Sequence, residues 1–272
     1  MEVVHSISSP EKVFETSGSK PALILCDDLN FYVCKYNRQP GGEAKKLFHE
    51  YLAGSFARLW GLAVPDFSLV IVNPQHIEGQ DYLQPAFFHT PCFGSKYNGR
   101  FSEVDQFYGE RKASMKKLFG HRKEFLRIAL FDIWMANEDR NFNNFNLLVD
   151  IENKYRFVPI DHDAIFNTGN LDKKLTLLSD NETLISTDLT RILFSSKELC
   201  NQIYLEEIKN EYYLCISVCK SHLTQILADI PVEWNVNVVD YQNLIVTNLF
   251  NDAWTKSCYR HFLELLQLES QR

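Results

Sequence analysis

The sequence lacks several features that would assign it to a familiar class of protein. It has no uninterrupted apolar run long enough to span a bilayer. It begins Met-Glu-Val-Val-His-Ser, without the basic start and apolar block of a secretory signal. None of its seven cysteines forms a Cys-x-x-Cys pair, so a metal site or a redox pair has little support. We therefore expect a cytoplasmic protein with buried, reduced thiols.

Dense positive charge is also missing. The net charge is −7, and the most basic stretch, residues 112–123, has the pattern of a solvated helical face. A surface that tracks phosphates needs more positive charge, so we expect no direct binding of nucleic acid. The acidic chain also shows no basic or apolar face suited to a membrane surface.

The hydrophobic content is ordinary, since 45% of the 272 residues are hydrophobic, enough for a sizeable core. Apolar runs bounded by turn residues predict strands in the first third, and apolar residues near helical period predict a helix between them. From about residue 108 the chain is mostly helical, apart from one hairpin. We predict an α+β fold of two lobes, with strands at 22–26, 31–36 and 67–72, helices at 43–59 and 122–136, and a hairpin at 145–149 and 157–160.

The residues with the clearest chemistry follow the helix predicted at 122–136. Asp139 comes directly after this helix, Asn144 lies five residues later, and the hairpin then leads to Asp161. Phosphoryl transfer needs a carboxylate to orient the attacking hydroxyl, and oxygen ligands for Mg²⁺. The spacing from Asp139 to Asn144 equals that of the protein-kinase catalytic loop. Asn-rich loops are common between helices and strands, so the pattern alone is a weak signal. The predicted helix, loop and hairpin together return Asp161 beside Asn144, as a metal site requires, and this favours the functional interpretation.

An apolar strand carries a second candidate. Lys35 lies in the segment 31–36, where an unpaired ammonium group would be costly. Kinases use such a lysine to hold the α- and β-phosphates and pair it with a glutamate on a helix. A lysine that extends from an edge strand into solvent is the alternative.

These segments resemble the HipA-like serine/threonine kinases. The segment 131–140 with Asn144 is similar to their catalytic loop, and 158–161 is similar to their metal-binding strand end. The resemblance implies that Asp139 is the catalytic base and that Asn144 and Asp161 hold Mg²⁺. Asn141 stands where many relatives have histidine.

The resemblance also implies a compact, two-lobed, protein-kinase-like fold, with a nucleotide-binding lobe at 1–98 and a helical catalytic lobe at 99–272. The segment 49–52 looks like the family's N-E-Y-L element, so Glu50 is the expected partner of Lys35 and Glu43 the fallback. The phosphate-covering loop falls on Ser17, Gly18 and Ser19, whose backbone amides are expected to contact the nucleotide. Ser17 and Ser19 are hypothetical autophosphorylation sites.

The implied activity is ATP-dependent, Mg²⁺-assisted phosphorylation of serine or threonine in a protein. Relatives can act as toxins paired with a helix-turn-helix antitoxin, so an antitoxin of this kind is a candidate partner. Nothing in the sequence identifies the target.

The sequence allows three other interpretations. His162 and Asp163 could belong to a metal-dependent phosphohydrolase, but the other histidines show no matching context. Phosphoinositide-type lipid kinases have a similar loop pattern. Such enzymes normally carry basic or apolar features that face a membrane, and this acidic chain shows none. A nucleotide-binding pseudokinase that serves as an interaction module stays open, because the segment 17–19 contains only one glycine.

Overall fold

The computed structural model describes residues 1–15, 20–110 and 114–272. The chain folds into two compact units, neither contiguous in sequence: the first comprises 1–52, 65–99 and 225–238, and the second comprises 53–64, 100–224 and 239–272. Strands dominate the N-terminal part and helices the C-terminal part, which confirms the predicted α+β class. The predicted assignment of nucleotide binding to residues 1–98 and of catalysis to residues 99–272 stays a prediction.

The first unit contains a six-stranded sheet of order β1-β5-β6-β4-β3-β2. β1 runs parallel to β5, and the other neighbours pair antiparallel. The strands predicted at 22–26 and 31–36 form a hairpin, β3–β4, whose turn lies at 27–30. The strands are β1 (Val3–His5), β2 (Lys12–Val13), β3 (Ala22–Leu25), β4 (Phe31–Lys35), β5 (Phe67–Ile71) and β6 (Cys92–Lys96).

β6 lies between β4 and β5, although its sequence reads as an irregular aromatic and glycine-rich stretch. A Cβ at Gly94 would lie 2.4 Å from Cγ2 of Val70 and 3.3 Å from Cβ of Tyr32. Gly94 is therefore required by the close approach of its neighbours, which is a common reason for glycine inside a strand.

The core of the first unit is apolar and contains three reduced cysteines. It is built from the inward faces of the strands and from the segments that cover them: Val4, Ala22, Ile24, Cys26, Tyr32, Cys34, Tyr36, Val70, Val72, Ile77, Leu83, Phe88 and Cys92.

Helices make up most of the remaining chain. They are α1 (Lys45–Leu59), α2 (Val104–Glu110), α3 (Met115–Leu118), α4 (Lys123–Met135), α5 (Ile165–Gly169), α6 (Asp188–Leu193), α7 (Ser196–Leu199), α8 (Gln202–Ala228), α9 (Val238–Leu244) and α10 (Asp252–Gln271), with a π-helical turn at Ile245–Leu249. The second unit also has a three-stranded antiparallel sheet of β7 (Phe101–Glu103), β8 (Leu147–Asp150) and β9 (Arg156–Pro159). Among the described helices, none combines the length and the apolar character that a membrane span requires.

α4 is the central helix of the second unit, and ten of its residues are buried. Trp134 stacks on Trp60 and on Phe56, with ring centroids 5.5 and 5.7 Å apart. The indole N–H of Trp254 donates to the carbonyl of Trp134 at 3.0 Å, and that of Trp134 donates to the carbonyl of Leu249 at 3.2 Å. Because α4 is enclosed and hydrogen-bonded in this way, the position of its C-terminal end is fixed, and the loop that follows starts from a rigid helix.

Candidate active site

The loop that carries Asp139 begins where α4 ends. Ala136 adopts a left-handed conformation with φ 50°, and its N–H donates to the carbonyls of Asp132 and Ile133. The N–H of Asn137 also donates to the carbonyl of Asp132, at 2.9 Å. A left-handed residue after the last turn is a common helix terminator because it satisfies these carbonyls, although glycine or asparagine usually fills it.

Beneath the loop lies a buried ion pair. Nε of Arg140 contacts Oδ2 of Asp132 at 2.9 Å, and the two side chains are 0% and 3% exposed. Nδ2 of Asn137 donates to the other oxygen of Asp132 at 2.9 Å. Burial raises the pKa of Asp132, and the Arg140 guanidinium and the Asn137 amide oppose that rise.

The same guanidinium joins the loop to the end of the hairpin. Nη1 of Arg140 donates to the carbonyl of Asn146 and, at 2.8 Å, to the carbonyl of Ile160. The N–H of Ile160 donates to the same Asn146 carbonyl at 3.0 Å. Asp161 follows Ile160 directly, so Arg140 fixes both the end of the loop and the backbone that precedes Asp161.

Asp139 is half-buried, and one of its oxygens is held by two amides. Oδ2 accepts from Nδ2 of Asn144 at 3.0 Å and from Nδ2 of Asn146 at 3.2 Å. Asn144 is exposed and closes a tight turn, in which Asn141 and Asn144 exchange backbone hydrogen bonds of 3.0 and 3.2 Å. Within residues 1–15, 20–110 and 114–272, Oδ1 of Asp139 has no hydrogen-bond partner. The structure therefore brings Asp139 and Asn144 into contact and leaves one carboxylate oxygen open.

Asn144 and Asp161 present the oxygen ligands that Mg²⁺ prefers. The amide nitrogen of Asn144 faces Asp139, so its carbonyl oxygen is the atom that can meet a cation. Asp161 is half-buried with φ 59°, a conformation that is uncommon outside glycine and recurs at functional sites. The described part of the chain has no group of three His, Cys, Asp or Glu residues that could hold a metal. A carboxylate and an amide oxygen fit Mg²⁺, which keeps waters and phosphates as its other ligands.

The segment after Asp161 is tied back to the loop. Glu138 accepts from Nδ2 of Asn167 at 2.9 Å and from the hydroxyl of Thr168 at 2.6 Å. The N–H of Asn167 donates to the carbonyl of Ala136 at 2.9 Å. Phe166, Asn167 and Thr168 all have left-handed backbones, with φ between 49° and 61°. These bonds hold a turn that most side chains disfavour.

Among the described residues, His162 belongs to no group of three His, Cys, Asp or Glu residues that could hold a metal of the phosphohydrolase kind. Its side chain is buried, and its ring meets the ring of Phe131 edge-on at 6.3 Å.

In the first unit, Lys35 and Glu50 form an ion pair. Lys35 is the last residue of β4, opposite Phe93 of β6, and Glu50 lies on α1. Their side chains are 15% and 4% exposed. Glu43, the fallback partner, is exposed and precedes α1.

The nucleotide-binding roles of Lys35 and Glu50 stay predictions. Ser17, Gly18 and Ser19, the predicted phosphate loop, lie outside the described residues.

The sequence reasoning missed three contributors to this site: Asp132, Glu138 and Asn146. Asp132 had a usable signal, since a carboxylate inside an apolar helical segment needs a buried partner. Asn146 had a weaker one, because asparagine tolerates the left-handed backbone, here with φ 46°.

The chain is similar to known proteins in its sequence and in its fold. The sequence profile of the HipA-like kinase family matches residues 10–262. The crystal structure of a Helicobacter pylori proinflammatory kinase, CtkA, is similar with a TM-score of 0.55 and 14% sequence identity, over 99% of this chain and 98% of that chain. At this identity the likeness concerns the fold, and it confirms the predicted kinase-like fold. No curated protein matches the chain significantly. Because the family profile covers nearly all of the sequence, the chain belongs to the HipA-like kinase family.

Proposed function

We propose that the protein is an ATP-dependent protein serine/threonine kinase in which Asp139 is the base. The observation that carries this proposal is the joint position of Asp139, Asn144 and Asp161 at one end of the β8–β9 hairpin. Arg140 holds this arrangement together through the carbonyls of Asn146 and Ile160.

The open oxygen of Asp139 accounts for the first event of the reaction. Oδ1 accepts the hydroxyl proton of the acceptor serine or threonine, and the hydroxyl oxygen forms a bond to the γ-phosphorus of ATP. The bond from that phosphorus to the bridging oxygen breaks, and ADP leaves with the electron pair. Such a transfer depends on positioning and on charge stabilisation, since the protein contributes little covalent chemistry.

Asn144 and Asp161 would hold the metal ion. An ion held there would supply positive charge that stabilises the transferred phosphoryl group. Asn144 can serve this purpose without releasing Asp139, because its nitrogen contacts the carboxylate and its oxygen faces away.

Lys35 would hold the α- and β-phosphates. Its ion pair with Glu50 would fix the position of Nζ, and the lysine side chain is 15% exposed. Ser17, Gly18 and Ser19 complete the proposed nucleotide site through backbone amides.

The acceptor class and the partners rest on family membership. A protein serine or threonine is the proposed acceptor, and a helix-turn-helix antitoxin is the proposed partner. A cytoplasmic location is part of the same proposal.

The test compares the binding and turnover of ATP and Mg²⁺ by the wild type, Asp139→Ala and Asp161→Ala. We expect wild type to bind and turn over ATP, Asp139→Ala to bind with similar affinity and lose turnover, and Asp161→Ala to lose its dependence on Mg²⁺. Asn143→Ala is the matched control, because Asn143 is exposed in the same loop and does not contact Asp139.

Equal binding by all three proteins without turnover would favour a pseudokinase module. Transfer to phosphoinositide vesicles in place of protein would favour a lipid kinase. Absence of nucleotide binding in the wild type would contradict the proposal itself.

A further inference from the structure

We propose that Asn146 is a positioning residue that holds the carboxylate of Asp139 in its reactive orientation. This inference rests on the proposed function, since it assumes that Asp139 is the base. It adds a residue that lies two positions beyond the predicted catalytic motif.

The geometry of the carboxylate is the first argument. Both amides that contact Asp139 donate to the same oxygen, Oδ2, at 3.0 Å from Asn144 and 3.2 Å from Asn146. Two donors on one oxygen fix the rotation of the carboxylate about its last bond. Oδ1 is then the oxygen presented to an acceptor hydroxyl.

The rigidity of the two donors differs. Asn144 is exposed and belongs to the tight turn at 141–144, where its oxygen has the proposed second duty towards a metal. Asn146 is half-buried, and its carbonyl is held twice, by Nη1 of Arg140 and by the N–H of Ile160. Asn146 is therefore the donor whose position is set by the buried interior of the unit.

The backbone of Asn146 supports the same conclusion. With φ 46° it occupies the left-handed region, where glycine is the residue of least strain. Asparagine costs more than glycine there, and it adds only a side chain, whose Nδ2 contacts Asp139. The contact with Asp139 thus explains why position 146 is asparagine, since glycine would suit the backbone better.

A variant can remove this contact without disturbing the network behind it. Asn146→Gly deletes the amide, suits the left-handed backbone and keeps the carbonyl that Arg140 and Ile160 hold. Asn143→Gly is the matched control, since it makes the same replacement in the same loop, three residues away and without a contact to Asp139.

The experiment measures kcat, the KM for ATP and the urea midpoint for the wild type, Asn146→Gly, Asn143→Gly, Asp139→Ala and the double variant Asp139→Ala/Asn146→Gly. The acceptor is water or, for autophosphorylation, a free serine or threonine hydroxyl of the protein itself. We expect Asn146→Gly to lower kcat roughly tenfold, as for one hydrogen bond to a charged group, without changing KM or the urea midpoint. In the Asp139→Ala background the second change should have no further effect, because its role acts through Asp139.

Two results would overturn the inference alone: an unchanged kcat in Asn146→Gly, or an equal loss with and without Asp139. Either leaves the proposed function standing if Asp139→Ala retains only a small residual turnover, on which the effect of the second change is measured. If Asp139→Ala turns over ATP as fast as the wild type, or if the wild type shows no turnover, both the proposed base and this inference are contradicted.

Discussion

Each of the two units contains an ion pair with little exposure, and the two pairs differ in exposure and in the further contacts that they make. In the first unit, Lys35 meets Glu50 at the end of a strand, and the lysine side chain keeps 15% of its exposure. In the second unit, Arg140 meets Asp132 below a loop, and the arginine side chain has no exposure at all. The guanidinium also donates to two backbone carbonyls.

This difference follows from the chemistry of the two side chains. Arginine offers five donors in a rigid fork, so one buried residue can bind a carboxylate and fix backbone groups at the same time. Lysine is a compact charge on a flexible stem, suited to a ligand that arrives and leaves. The Arg140 pair thus supports the architecture of the site, and the Lys35 pair is the one suited to a substrate.

Breaking the architectural pair should have the largest effect on stability. Arg140→Met leaves Asp132 buried without its counter-charge, so we expect the free energy of unfolding to fall by about 3–5 kcal/mol. Urea unfolding measures the change. Lys209→Met is the control, since Lys209 and Glu206 form an ion pair whose side chains are 42% and 63% exposed, and its loss should cost less than about 1 kcal/mol. Equal losses in the two variants would contradict the role given to Arg140.

Breaking the other pair should affect turnover more than folding. Lys35→Met removes the charge proposed to hold the phosphates, so we expect kcat/KM for ATP to fall roughly a hundredfold. The urea midpoint should fall by less than it does in Arg140→Met. Lys96→Met is the control, because Lys96 is a half-buried lysine of the same sheet. A variant with normal kcat/KM would remove Lys35 from the nucleotide site.

The close packing beside Lys35 gives a third test. Gly94→Ala places a Cβ 2.4 Å from Cγ2 of Val70, so we expect it to destabilise the protein by about 1–3 kcal/mol, as overpacking does. Gly99→Ala is the matched control, since no atom lies within 4 Å of its added Cβ. Similar thermal midpoints for both variants would show that the strands can separate to admit the methyl group.

The cysteines should show the smallest effect, which is a difference in labelling rate. Burial raises the pKa of Cys26 to about 12, with Asp28 and Asp27 adding to the rise, and burial also raises the pKa of Cys34 and of Cys92. These thiols stay protonated at pH 8, whereas Cys200 is exposed. We expect a thiol-specific disulfide reagent to label native protein with a fast phase that Cys200→Ser removes. Fast labelling of the buried three would contradict their place in the core.

Much of this architecture follows from local patterns. Apolar periodicity predicted α4 and the β8–β9 hairpin, because each buries a face with a fixed repeat. The same reasoning missed β6, because Gly94 weakens the apolar pattern of a strand. Glycine is needed there because the side chain of Val70, on another strand, lies too close for a Cβ.

The site divides in the same way. Asp139, Asn144 and Asp161 could be proposed from the sequence because their order and spacing resemble those of a kinase catalytic loop, and their roles stay predictions. Arg140 and Asn146 matter because of contacts that form only in the folded chain. Arg140 donates to the carbonyl of Ile160, and Asn146 donates to the carboxylate of Asp139. No periodicity in the sequence reports such contacts.

The central claim is that Asp139 accepts the proton during transfer of the γ-phosphoryl group. Its most direct test is transfer from γ-labelled ATP to serine or threonine by the wild type and by Asp139→Asn, with ATP affinity measured on both. Asparagine keeps the size of the side chain and removes its ability to accept the proton. We predict labelled phosphoserine or phosphothreonine with the wild type, and a loss of roughly a hundredfold or more in Asp139→Asn at unchanged affinity. Equal transfer by the two proteins would contradict the account.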